Sequence, residues 1–152
     1  MPLSRRQLLR SMTAVVVVTA LPLPLRAQQA NQVRTIAGGG VTEAITNPYG
    51  IVFGPDGALY FCEVDTGLTR RLSLGDGLLT TIAGNGQKAY AGDGGTALAA
   101  AFSAPHEIRF DKDGHLFVVE RDAHVVRRVD AVTGIVSTVA GTGEGGFSGD
   151  AR

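Results

Sequence analysis

The 152-residue sequence has one cysteine, Cys62, and no tryptophan. A single thiol excludes an internal disulfide, and its place in an apolar run makes it a small buried side chain rather than a nucleophile. Charge of one sign is also missing. Fourteen basic and fourteen acidic residues balance to zero, which removes any general case for a nucleic-acid binder. No apolar run reaches the roughly 18 residues of a membrane-spanning helix. Helical periodicity is confined to Thr96–Phe102, TALAAAF, enough for a turn or two in a connector. The GDGG of Gly92–Gly95 is followed by no G-K-[ST], so it is no Walker loop, and no G-x-S-x-G nucleophile turn occurs. Glycine is plentiful, at 21 residues, and apolar residues make up 44% of the chain, which supports a packed core. The length fits one domain or a piece of one.

The zero balance hides an asymmetry. Arg5, Arg6, Arg10 and Arg26 fall in residues 1–30 with no acid beside them. Residues 31–152 therefore keep ten basic groups against fourteen acidic, a net charge of −4. The order is a basic start, SRRQLLR, then an uncharged stretch from Ser11 to Leu25 centred on Val15–Val18, then small residues. That order is the pattern of a secretory signal. The Arg5–Arg6 pair resembles the twin-arginine export signal, with Leu8 and Arg10 as mild departures from its usual Phe and Lys. An ordinary secretory signal or an uncleaved anchor fits the same residues. Cleavage would fall after Ala27 or Ala30, and the expected location is the periplasm or the exterior.

The remainder repeats itself. Asn47–Gly84 aligns with Ala104–Gly141 without a gap at an offset of 57, and 14 of the 38 positions are identical. Thr35–Gly38 reads TIAG, Thr81–Gly84 repeats it, and Thr138–Gly141 reads TVAG. Each unit breaks into four short runs rich in Val, Ile, Leu, Phe and Tyr. The spacing predicts strands over Gly50–Phe53, Ala58–Glu63, Leu68–Ser73 and Leu78–Ala83, and over Glu107–Phe110, His115–Glu120, His124–Asp130 and Ile135–Ala140. Asp56-Gly57 and Asp113-Gly114 stand between the first two runs of each unit, a strong hairpin signal. Four antiparallel strands in a repeated unit mark the blade of a β-propeller. The fold class is therefore all-β. Blades are expected over about 47–84 and 104–141, with a linker over 85–103 and a connector cut short over 142–152. The first strand of each blade would line the channel and the fourth the rim.

PYGIVFGPDGALYFCE, PHEIRFDKDGHLFVVE and HVVRRVD resemble the NHL-repeat β-propeller family, and LTRRLS does so less closely. GNGQKAYAGDGGTALAAAFSAP resembles the connector common in bacterial members. Departures are Glu63 and Glu120 where Asp is usual, Glu107 where Gly50 keeps the expected glycine, and Ala123-His124 in place of Asn-His. The resemblance covers about residues 33–152 and implies a partial propeller of two blades. Because a propeller closes with roughly four to eight blades, it also implies truncation or closure with partners, and self-association through open edges.

Candidate sites are few. His106 and Glu107 open an innermost strand, and imidazole with carboxylate suits zinc or calcium. The resemblance adds that some lyase and lactonase propellers hold a divalent metal at the channel. The other blade offers Tyr49 and Gly50 there, so further ligands would have to come from elsewhere. A channel-mouth polar pair is the plainer reading. Asp93 and Asp150 sit in the glycine-rich loops, where they can bind a ligand or cap backbone N–H groups. Glu63, Glu120, Arg70, Arg71, Arg127 and Arg128 recur in both units and so read as structural, one arginine of each pair facing solvent or an acid. The preferred function is a non-enzymatic scaffold that presents loops to a protein or small-molecule ligand. A metal-dependent propeller enzyme is the alternative.

Overall fold

A computed structural model of the chain describes residues 35–37 and 45–146. The signal-like residues 1–30, with Arg5 and Arg6, lie outside the described residues, as does Asp150. Among the described residues eight strands form two separate four-stranded sheets. The first holds β1 (Pro48–Phe53), β2 (Leu59–Glu63), β3 (Leu68–Leu72) and β4 (Leu79–Ala83); the second holds β5 (Pro105–Phe110), β6 (Leu116–Glu120), β7 (Val125–Val129) and β8 (Val136–Gly141). Each sheet is a simple antiparallel meander in chain order. Strand positions agree with the sequence pattern to within one or two residues. The main extension is at β1 and β5, which begin at Pro48 and Pro105. Proline is tolerated as the first residue of a strand, where its missing N–H breaks no ladder.

Register decides which side chains share a face. In the first sheet Val52 lies opposite Tyr60 and Tyr49 opposite Cys62, and this face turns toward the second sheet. In the second sheet Ile108 pairs with Val118 and Phe110 with Leu116, and these residues face back. The two faces form one core with Ala83 and Val136. The sheets come closest where β5 meets β1 and β2. At that edge Gly50, with φ at 53°, lies against β5, and a Cβ on it would come within 2.7 Å of Glu107 Cα. Only glycine permits this approach of two backbones.

Toward β4 and β8 the sheets are held apart by the connector. Thr96–Ala99 makes a single turn, closed by Ala100 N–H to Thr96 O at 3.1 Å, and no helix forms. The turn drives Ala97, Ala100 and Phe102 into the core as a wedge. Backbone bonds seal it on both sides. Gly84 donates to Ala97 O at 2.9 Å, Ala97 to Gly134 O at 2.9 Å, and Val136 to Gly95 O at 2.9 Å. The recurring T-[IV]-A-G ends this seam. A Cβ at Gly84 or Gly141 would collide with the carbonyl of Gly67 or His124.

The repeat gives an internal control on burial. Ile108 is fully buried, whereas its counterpart Ile51 is 63% exposed. Ile108→Ala is expected to cost about 2–5 kcal/mol, and Ile51→Ala in dilute protein about 0.5 kcal/mol or less. Urea unfolding of the two variants, followed by far-ultraviolet circular dichroism, checks the difference.

Candidate functional site

His106 and Glu107 are the second and third residues of β5 and are half-buried at the narrow junction of the sheets. The His106 ring lies tilted on Tyr49, its repeat counterpart, with centroids 4.4 Å apart. Glu107 turns back along its own strand. Its Oε1 accepts from Ile108 N–H at 3.2 Å and is ion-paired with Arg109. The two predicted metal donors thus have other partners, an aromatic ring and a guanidinium. Among the described residues no group of three or more His, Cys, Asp or Glu could hold an ion, whereas zinc takes at least three protein ligands. The pair is therefore a polar edge that needs outside donors before it can bind metal.

The most heavily engaged charge is Arg127, at the centre of β7 and wholly buried. Alternation along β7 places it on the core-facing side with Val125 and Val129. Its Nη1 donates to Glu120 Oε1 and to Ala101 O, each at 3.2 Å. Its Nη2 donates to Ala91 O at 3.2 Å and meets Asp93 Oδ1 at 2.8 Å. The guanidinium lies 5.4 Å from the Tyr90 ring centroid and 4.9 Å from that of Phe102, distances that favour cation–π attraction. Asp93 Oδ2 accepts from Thr138 N–H at 2.9 Å, and Glu120 Oε2 accepts from Ser103 N–H at 2.5 Å. One side chain thereby ties β6, β7 and β8 to the connector. Asp93, predicted as a loop ligand or cap, uses both carboxylate oxygens within this network. Asp150 stands at the same repeat position in sequence.

The acids of the network are shifted in opposite directions. Burial pushes the Glu120 carboxyl up, against the pull of Ser103 N–H and Arg127. Burial also raises Asp93, but hydrogen bonds from Thr138 and the charge of Arg127 outweigh it and hold the group below its ordinary value. The other arginine of each pair behaves as the sequence suggested. Arg71 meets Asp56 at 2.6 Å and Arg128 meets Asp130 at 2.5 Å. N–H groups of Thr133 and Val132 hold Asp130 well below the usual carboxylate range. Glu63 accepts from Thr66 Oγ1 at 2.8 Å and Thr46 Oγ1 at 3.3 Å, fixing the loops around the first blade. Burial pushes the Cys62 thiol up to about 12, and its Sγ donates to Tyr49 O at 3.2 Å. Near neutral pH it stays a thiol.

No family model matches the chain, and no curated protein does. Solved structures do. A protein of unknown function from Bacteroides thetaiotaomicron VPI-5482 is similar over 75% of this chain and 29% of its own, at 22% identity and a TM-score of 0.63. A virginiamycin B lyase from Staphylococcus aureus matches over 60% of this chain and 26% of its own, at 23% identity and a TM-score of 0.43. A PQQ-bound aldose sugar dehydrogenase from Streptomyces coelicolor matches over 70% and 32%, at 19% identity and a TM-score of 0.47. The chain spans less than a third of the length of each. The first likeness, with the sheet topology, establishes the fold and nothing finer: the described residues are all-β, and their two sheets are β-propeller blades.

Arg127→Ala strands Glu120 as a buried unpaired acid and is expected to cost about 3–5 kcal/mol, while Asp93→Asn, on a half-exposed partner, costs about 1 kcal/mol. Asp93 is held below the ordinary aspartate value, so its contribution is complete above that ordinary value and is lost as pH falls through the lower folded-state value. Asp93→Asn therefore flattens the acid limb of a stability-versus-pH curve. In a second experiment, Cys62 of the folded protein stays unlabelled by a disulfide reagent at pH 8 and reacts fully in urea.

Proposed function

We propose that the chain is an exported propeller unit of NHL-repeat type, a scaffold that presents its channel-edge and connector surfaces to a protein or small-molecule ligand. One observation carries this reading. The buried charges Glu63 and Arg70 recur as Glu120 and Arg127, and Arg127 binds the connector, whereas Tyr49 and Gly50 on the first strand of one blade are replaced by His106 and Glu107 on that of the other. A recurring residue serves the architecture; a non-recurring one at the channel edge is free to serve recognition. Export is supported by the Arg5–Arg6 signal pattern, and among the described residues no helix is long and apolar enough to cross a membrane.

Metal analysis separates the scaffold from a metal-dependent enzyme. After loading with zinc or calcium and desalting, the full chain is expected to retain less than one equivalent, with no change in His106→Ala or Glu107→Ala. A stoichiometric ion lost in both variants would replace the scaffold with a lyase- or lactonase-type site. Export has its own test: Arg5→Lys combined with Arg6→Lys should leave the protein in the cytoplasm.

A further inference from the structure

The junction between the two sheets has two halves, and the repeat supplies a spare of each. The half contributed by the second sheet consists of Ile108, Phe110, Leu116 and Val118. Their counterparts, Ile51, Phe53, Leu59 and Phe61, lie on the outward side of the first sheet. Ile51 and Phe53 are each 63% exposed there, and this side borders a cavity of about 370 Å³ lined by Ile36, Ile45, Ile51, Leu59, Phe61 and Leu72. The half contributed by the first sheet includes Tyr60, Cys62 and Ile82. Their counterparts, Phe117, Val119 and Val139, lie on the outward side of the second sheet, where Val119 is 39% and Val139 48% exposed.

We propose that a second copy of this chain docks head to tail on the first, the outward side of its β5–β8 sheet seating on the outward side of the first copy's β1–β4 sheet. The internal junction is the template. The same repeat positions meet in the same order, so apolar area exposed on both sides is removed from water together. Two positions bring charge that the template lacks. Glu107 and Arg109 stand where Gly50 and Val52 stand, and they are ion-paired to each other, so they enter as a neutral unit. Glu107 cannot allow the backbone approach that Gly50 allows, so the joint between copies is looser at the channel edge than the internal one. The contact is heterologous and must close into a ring or run on as a filament.

Complementation tests this. The full chain is made as wild type, as Ile51→Glu/Phe53→Glu, and as Val119→Glu/Val139→Glu. Each double variant keeps one intact half, and the added charges share a sign so that they cannot attract each other. Sedimentation velocity at up to about 100 μM should show wild-type species of two or more copies, each variant alone as a monomer, and their equimolar mixture as a one-to-one dimer that grows no further. Far-ultraviolet circular dichroism and thermal melting check that the variants fold. Where the Glu variants do not fold, the corresponding Ser pairs replace them. A wild-type monomer across the range overturns the proposal and assigns these sides to other parts of a longer polypeptide. Variants that associate as wild type does, or a mixture that stays monomeric while wild type associates, overturn it as well. Association through the apolar stretch near Val15–Val18 would survive all four substitutions and give no complementation.

Discussion

A sheet with two apolar sides cannot be satisfied by one neighbour. That constraint organises this chain. Strict alternation would place polar residues on one side, yet here β2 carries Leu59 and Phe61 on one side and Tyr60 and Cys62 on the other. The two sheets stack through one such side each, and their strands pack closely only where β5 meets β1 and β2. The connector solves the geometry at the wide end. Its small residues, Ala97 and Ala100, and the single large ring of Phe102 fill a space that the strands do not reach.

Filling that space creates an electrostatic problem. A connector in a buried seam brings carbonyls with it, and buried carbonyls need donors. Arg127 supplies them, to Ala91 O and Ala101 O, while two acids neutralise its charge. A buried ion pair of this kind contributes little net stability compared with an apolar substitute. What it fixes is position: the carbonyls of Ala91 and Ala101 and the carboxylate of Asp93 all meet one guanidinium beneath β7. The glycine-rich loop, which superficially resembles a phosphate cradle, is thus a clasp between one blade and the path into it.

Much of the fold was legible because it rests on local signals. Strand-forming runs bounded by Asp56-Gly57 and Asp113-Gly114 set the meander, and the 57-residue offset set the unit. The site was less legible. The sequence marks Arg70 and Arg127 as recurring but does not say which arginine of each pair turns inward; that depends on register against Phe61 and Val118. Asp93 reads as a loop ligand because its partner lies 34 residues away. Ala104 adopts a φ of 50°, uncommon for a residue with a side chain, so that its carbonyl can receive Arg121 N–H at 3.1 Å. Its counterpart Asn47 repeats the conformation and the bond, to Val64 N–H at 3.2 Å. Asparagine hints at such a turn and alanine does not, so only the alignment of the two units exposes it. Thr96–Phe102 is helix-like in composition, but backbone bonding of Ala97 to Gly84 and Gly134 and of Ala101 to Ala91 claims its groups after one turn.

The wedge has a consequence for how the molecule comes apart. Its hydrogen bonds join the end of one sequence repeat to the last hairpin of the next, so the connector belongs structurally to both sheets, and a cut at the tidy repeat boundary after Gly84 would leave the first sheet without the segment that Gly84 bonds.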